Sequence, residues 1–190
     1  MQGMGARAKM FFSAMLLSGL VTAGCSQEPK PAKGHLMKMT LTSTAFASGR
    51  PIPVKYTGDA LDVSPPLAWT NPPGGTKSFA LIADDPDAPV GTWVHWVIYD
   101  LPPTATGLGE DQRKAPQLEN GAKQGVNDFR KTGYGGPAPP PGKTHRYYFK
   151  LYALDAMTGL KPGATKQDLV KAMDGHVLGE GQLMGTYQRQ

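Results

Sequence analysis

Apolar positions along this chain come mostly in short runs or in alternation with polar ones, the period of strands rather than of helices. Residues 36–46 alternate loosely, with Leu36, Met37, Met39 and Leu41 set among lysines and threonines, and predict a first strand. Residues 52–57, bounded by Pro51 and Gly58, predict a short second one. After Ser64-Pro65-Pro66, Leu67 and Trp69 share a face of an extended segment, and Asn71-Pro72-Pro73-Gly74-Gly75 is a turn. Residues 79–83 are a continuous apolar run of strand length, and residues 93–99 are another.

Between those two runs lie three carboxylates, Asp84, Asp85 and Asp87, with Pro86 and Pro89. Proline cannot donate to a ladder, so this acidic segment is expected to be a turn or exposed loop held between two core strands. In the second run, strict alternation points Trp93, His95, Val97 and Tyr99 one way and Val94, Trp96 and Ile98 the other. Both faces are apolar, so the strand is expected to be central and His95 buried. Residues 101–124 read as a long polar excursion. Residues 127–142 are dense in Gly and Pro, which suits a shaped wall better than a helix or central strand. Residues 145–154 form the strongest strand, with His145, Tyr147, Phe149 and Leu151 on one face and Arg146, Tyr148, Lys150 and Tyr152 on the other. Gly159 to Gly163 marks a turn. Residues 165–173 are the best helix: Thr165 can cap, Asp168 lies three residues on, and Gly175 stops it. A last strand is expected at residues 182–188.

Composition supports this picture. With Gly 24 and Pro 18 spread along 190 residues, the chain reads as a loop-rich β protein with one domain. The net charge of +5 is not gathered into a Lys/Arg block, so nucleic-acid binding is not expected. The first residues are a different matter. Arg7 and Lys9 precede an apolar stretch at residues 10–21, too short to span a bilayer and suited to a signal peptide. It ends in Val21-Thr22-Ala23-Gly24-Cys25, which resembles a bacterial lipobox. The expected organisation is a lipoprotein signal peptide at residues 1–24, a lipidated Cys25 with a flexible tether at 25–35, and a domain at 36–190. Cys25 is the sole cysteine and cannot form an internal disulfide, so an anchor explains it better than a staple. Ser26, rather than Asp, favours the outer membrane if the cell is Gram-negative. The alternative is an ordinary secretory signal and a secreted or periplasmic protein.

The candidate chemical groups are Asp85, Asp87, His95, His145 and Tyr147, with the N–H groups of Gly135 and Gly136. Nucleophilic catalysis lacks a Ser, Cys or Thr in a recognisable setting. A metal site is allowed by residue type, yet no ligand spacing supports it. Asp85 and Asp87 could act as a carboxylate pair or merely shape the loop. The remaining reading is an anion pocket. Imidazoles, a phenol and glycine N–H groups are donors, and an aspartate would serve to orient a histidine and favour its charged form.

The motifs Ser64-Pro65-Pro66-Leu67-Ala68-Trp69, Asp85-Pro86-Asp87-Ala88-Pro89, His95-Trp96, Gly133-Tyr134-Gly135-Gly136-Pro137 and His145-Arg146-Tyr147-Tyr148-Phe149-Lys150-Leu151-Tyr152-Ala153-Leu154 occur in that order. Together with Leu178 to Gly185, they resemble the phosphatidylethanolamine-binding protein (PEBP) family, in its bacterial Raf-kinase-inhibitor-like branch. The resemblance implies a mostly β protein: an antiparallel β-sandwich with a Greek-key element and one or two short helices. It implies a surface pocket for phosphate-like groups, whether phospholipid head groups, nucleotides or phosphorylated side chains. Asp85, Asp87, His95, His145 and Tyr147 would line it, and Gly136 and Pro137 would form its rim. It implies binding without catalysis, cofactor or metal. The alternatives are a protein that inhibits a kinase or protease through the rim, and a hydrolase or lyase using Asp85 and His95 as a base. Eukaryotic members carry a C-terminal helix over the pocket. This sequence reaches Gln190 just past its last expected strand, which counts against carrying their kinase regulation over.

Overall fold

A computed structural model describes residues 36–190. The expected signal peptide, Cys25 and tether lie outside the described residues. The strands are β1 (Met37–Lys38), β2 (Thr40–Thr42), β3 (Leu67–Thr70), β4 (Ser78–Asp85), β5 (Trp93–Leu101), β6 (Gly107–Leu108), β7 (Lys123–Gln124), β8 (His145–Leu154) and β9 (Val177–Tyr187), with one helix, α1 (Lys166–Met173). They form a six-stranded sheet of order β1-β9-β8-β4-β5-β7 and a three-stranded sheet of order β2-β3-β6. Strands β4, β5 and β7 run antiparallel in succession and β8 returns beside β4, the Greek-key order. The one parallel pairing joins β1 to β9, so the large sheet is mixed rather than purely antiparallel.

The large sheet is covered on both faces. Phe79, Leu81, Trp96, Ile98, Phe149 and Leu151 pack against Leu41, Leu67, Trp69 and Leu108 of the small sheet. Ala80, Ile82, Val94, Val97, Tyr99 and Leu154 pack against Leu169 and Met173 of α1. This explains why every residue of β4 is buried. The helix begins as expected, with a capping box: the Thr165 hydroxyl accepts from Asp168 N–H while the Asp168 carboxylate accepts from Thr165 N–H.

Four expectations need correction. The segment 36–46 is two strands, not one; it crosses from the large sheet to the small one at buried Met39. The segment 52–57 is a 3-10 turn at Val54–Tyr56, because Pro51 and Pro53 lack the N–H groups a ladder needs. The last strand starts at Val177, well before residue 182. A Cβ on Gly179 would lie 2.7 Å from the Met37 carbonyl oxygen, so glycine here permits close approach of β1 rather than a turn.

The fourth correction concerns β5. Ala83 pairs with Trp96 and Asp84 with Val94, so His95 is an extra residue, a β-bulge. The bulge shifts the alternation. Val97 and Tyr99 join Val94 on the α1 side, while Trp96 and Ile98 face the small sheet. A second irregularity between Phe79 and Leu81 accompanies Asp100, which takes φ +56°.

Candidate functional site

The site lies at one end of the large sheet, on the face that meets the small sheet. Contrary to the expectation of an acidic loop, Asp84 and Asp85 belong to the end of β4 and are buried. Alternation sends them to opposite faces. Asp84 turns toward α1 and accepts from Lys150 Nζ at 2.7 Å and Lys166 Nζ at 2.5 Å. Asp85 turns toward β8, where its Oδ2 accepts from His145 Nδ1–H at 2.7 Å. Its Oδ1 accepts from Asp87 N–H at 2.7 Å. Both carboxylate oxygens are thus engaged. Fixing Nδ1 leaves Nε2 as the His145 nitrogen available to a ligand.

His95 is held differently. Its Nδ1–H donates to the Gly135 carbonyl at 2.6 Å, and its own carbonyl accepts from Gly135 N–H at 2.9 Å. Burial pushes the His95 imidazole below its usual range, a shift that the Gly135 carbonyl and the nearby Asp85, Asp128 and Asp84 only partly oppose. The ring is therefore neutral near pH 7, with Nε2 as an acceptor. The carboxylate of the expected Asp85–His95 base belongs instead to His145.

Tyr147 stands beside His95, ring centroids 5.2 Å apart and nearly perpendicular. Its hydroxyl is buried and has no hydrogen-bond partner among the described residues. Burial, with Asp85 close by, pushes the phenol well up, so the group stays a neutral donor. These groups line a cavity of about 210 Å³. Its other walls are Ala88, Pro89 and Val90 after β4, Trp93 on β5, and Phe129, Ala138, Pro139 and Pro140 from the Gly/Pro loop. The arrangement is a small polar floor inside an apolar rim. Among the described residues no three of His, Cys, Asp and Glu gather as metal ligands.

A family model described as phosphatidylethanolamine-binding protein matches residues 42–188. The chain belongs to this family. Similar proteins include a UPF0098 protein of Methanothermobacter thermautotrophicus, 52% identical over 80% of this chain and 99% of that protein. One from Aquifex aeolicus is 48% identical over 80% and 89%. Among solved structures, a PEBP homolog from Chlamydia trachomatis matches with TM-score 0.74 and 43% identity. E. coli YbcL, described as a new member of the mammalian PEBP family, matches with TM-score 0.75 and 31% identity. Each match covers 80% of this chain and 99% of the other.

Within this PEBP fold, Asp85, His95, His145 and Tyr147 come together on the cavity wall. Asp87, Gly136 and Pro137 do not line it. Asp87 faces Arg146, whose Nε and NH2 donate at 2.8 and 2.7 Å; the guanidinium holds the carboxyl at about 2. Its role is to tie the loop to β8. Gly136 donates its N–H to Asp62 at 2.6 Å, and the Pro137 carbonyl accepts from Gly58 N–H at 2.8 Å. The glycine N–H groups expected to meet an anion are therefore already used. Sequence reasoning passed over Trp93 and Phe129. Trp93 could have been read from its i, i+2 relation to His95; no local signal marks Phe129.

Proposed function

We propose that the cavity binds a small phosphate-like group, such as a phospholipid head group, a nucleotide phosphate or a phosphorylated side chain. The reading rests on the Tyr147 hydroxyl, buried beside the His95 ring with no hydrogen-bond partner among the described residues. A buried unsatisfied donor costs about 1–3 kcal/mol, which a ligand oxygen would relieve. A hydrogen phosphate fits the remaining atoms. Its anionic oxygens would accept from Tyr147 beside the His145 imidazole, and its P–OH would donate to neutral His95. The volume lies below the roughly 300–1,000 Å³ of sites for drug-sized ligands, which suits a terminal group. Few contacts must offset the cost of association, so a free phosphate would bind weakly.

The reading is of a binding protein, not an enzyme. The test is a titration with inorganic phosphate and phosphoethanolamine, followed by NMR of the His95 and His145 ring signals. Coupled shifts of both rings are expected; silent rings would overturn the reading.

The lipobox-like segment ending at Cys25 supports a second part of the proposal, lipid anchoring in the cell envelope, at the outer membrane in a Gram-negative cell. Cys25→Ala is expected to move the protein from the membrane to the soluble fraction. Equal partition of both forms would exclude the anchor.

A further inference from the structure

Phe129 stands at the tip of a turn that is held from both sides. Asp128 clamps the turn to β5: its N–H donates to the Val94 carbonyl at 2.9 Å, and its carboxylate accepts from Val94 N–H at 2.7 Å. Asn127 closes the turn, its carbonyl accepting from Arg130 N–H at 2.9 Å and its side-chain oxygen from Lys131 N–H at 3.1 Å. Arg130 takes φ +60°, a left-handed conformation unfavourable for a residue with a Cβ. Backbone strain is thus accepted at the residue next to the tip.

The Phe129 ring lies edge-on to Trp93, at 5.4 Å and 73°, and to His95, at 5.3 Å and 71°. Gly135 makes room for it. A Cβ on Gly135 would lie 2.8 Å from Phe129 Cδ2. The same glycine holds His95 by the two hydrogen bonds described above. Phe129, Gly135 and His95 therefore interlock. The ring cannot move toward Gly135 without disturbing the histidine that lines the cavity. At 37% exposed it is no core residue either, and its bulk is placed at the mouth.

We propose that Phe129 is the specificity-determining residue of this pocket, a fixed wall that admits phosphate carried on a slender unbranched chain and turns away aryl phosphates. This rests on the anion reading above. A wall locked in place limits width, whereas an adaptable one would repack around a larger ligand.

The test titrates the full-length protein with inorganic phosphate, phosphoethanolamine and phenyl phosphate, comparing wild type with Phe129→Ala and Phe129→Leu. The readout is the affinity ratio of phenyl phosphate to phosphoethanolamine. In Phe129→Ala it is expected to rise at least about tenfold, the scale on which a methylene-sized misfit is felt in an apolar pocket. Phe129→Leu should fall between. An unperturbed His145 ring signal in the unliganded variants reports an intact floor. A ratio that stays the same, or that falls because the ring was a contact surface for the aryl group, overturns the filter. If inorganic phosphate and phosphoethanolamine shift neither histidine in any of the three proteins, the anion reading itself fails and takes the filter with it. Phosphate binding with an unchanged ratio overturns the filter alone.

Discussion

The Asp85 carboxylate and the His145 imidazole meet 2.7 Å apart with side chains only 4% exposed, and they come from strands whose residues are 60 positions apart. The pair fixes the direction of His145 while Asp85 also holds the loop after β4. Asp85→Ala would strand two donors, His145 Nδ1–H and Asp87 N–H. At about 1–3 kcal/mol for each buried donor left unpaired, the loss should be plain in a urea midpoint. A midpoint within error of wild type would show that water replaces the carboxylate without cost.

Tyr147→Phe separates binding from folding. The hydroxyl has no well-formed hydrogen bond among the described residues, with only the Asp85 carboxylate close by, so its removal should leave the urea midpoint nearly unchanged. Phosphate affinity should fall roughly 10- to 100-fold, the worth of one hydrogen bond to a charged group at about 1.5–3 kcal/mol. A drop in stability with affinity intact would make the phenol a structural group.

His95 gives the stability a pH dependence of definite sign. Burial holds its folded pKa below the unfolded value near 6.5, so the unfolded chain binds more protons as the medium acidifies. Its contribution is fully present above about pH 6.5. It is lost as pH falls from there toward the lower folded value, at no more than about 1.4 kcal/mol per pH unit. Urea unfolding between pH 5 and 8 should show a shallower acid limb in His95→Gln. Parallel limbs in the two proteins would contradict the buried neutral ring.

The Asp87–Arg146 pair is expected to be weak in energy. Arg146 is half-exposed, so Arg146→Ala should cost about 1 kcal/mol or less, with a larger effect at low salt. The Asp87 carboxyl should return from about 2 toward the ordinary value near 3.9. Any stability from this pair is present above that ordinary value and is lost as pH falls through the folded one. Carboxyl-carbon NMR titration of the variant reads the shift directly.

Much of the fold was legible because β8 alternates without interruption over its first nine residues, His145 to Ala153. That alternation alone put His145 and Tyr147 on one buried face. In β5 the same rule failed past His95, since a bulge leaves no mark in a run that is apolar on both sides. Asp84 and Asp85 looked like loop because Pro86 and Pro89 follow them and cannot donate to a ladder. Their partners, Lys150 and His145, come from a distant strand. The N–H groups of Gly135 and Gly136 looked free. They are bonded to His95 and Asp62, contacts that exist only once the chain has folded.

The bulge in β5 has a bearing on how such a site can change over time. His95 stands opposite no residue of β4, so the ladder is the same whatever side chain occupies that position. A substitution there alters what the cavity offers a ligand and leaves the pairing of the sheet alone. An insertion or deletion at the same point would instead exchange the two faces of everything beyond it. The position is thus open to replacement and closed to changes of length, which lets the fold be inherited intact while the taste of its pocket drifts.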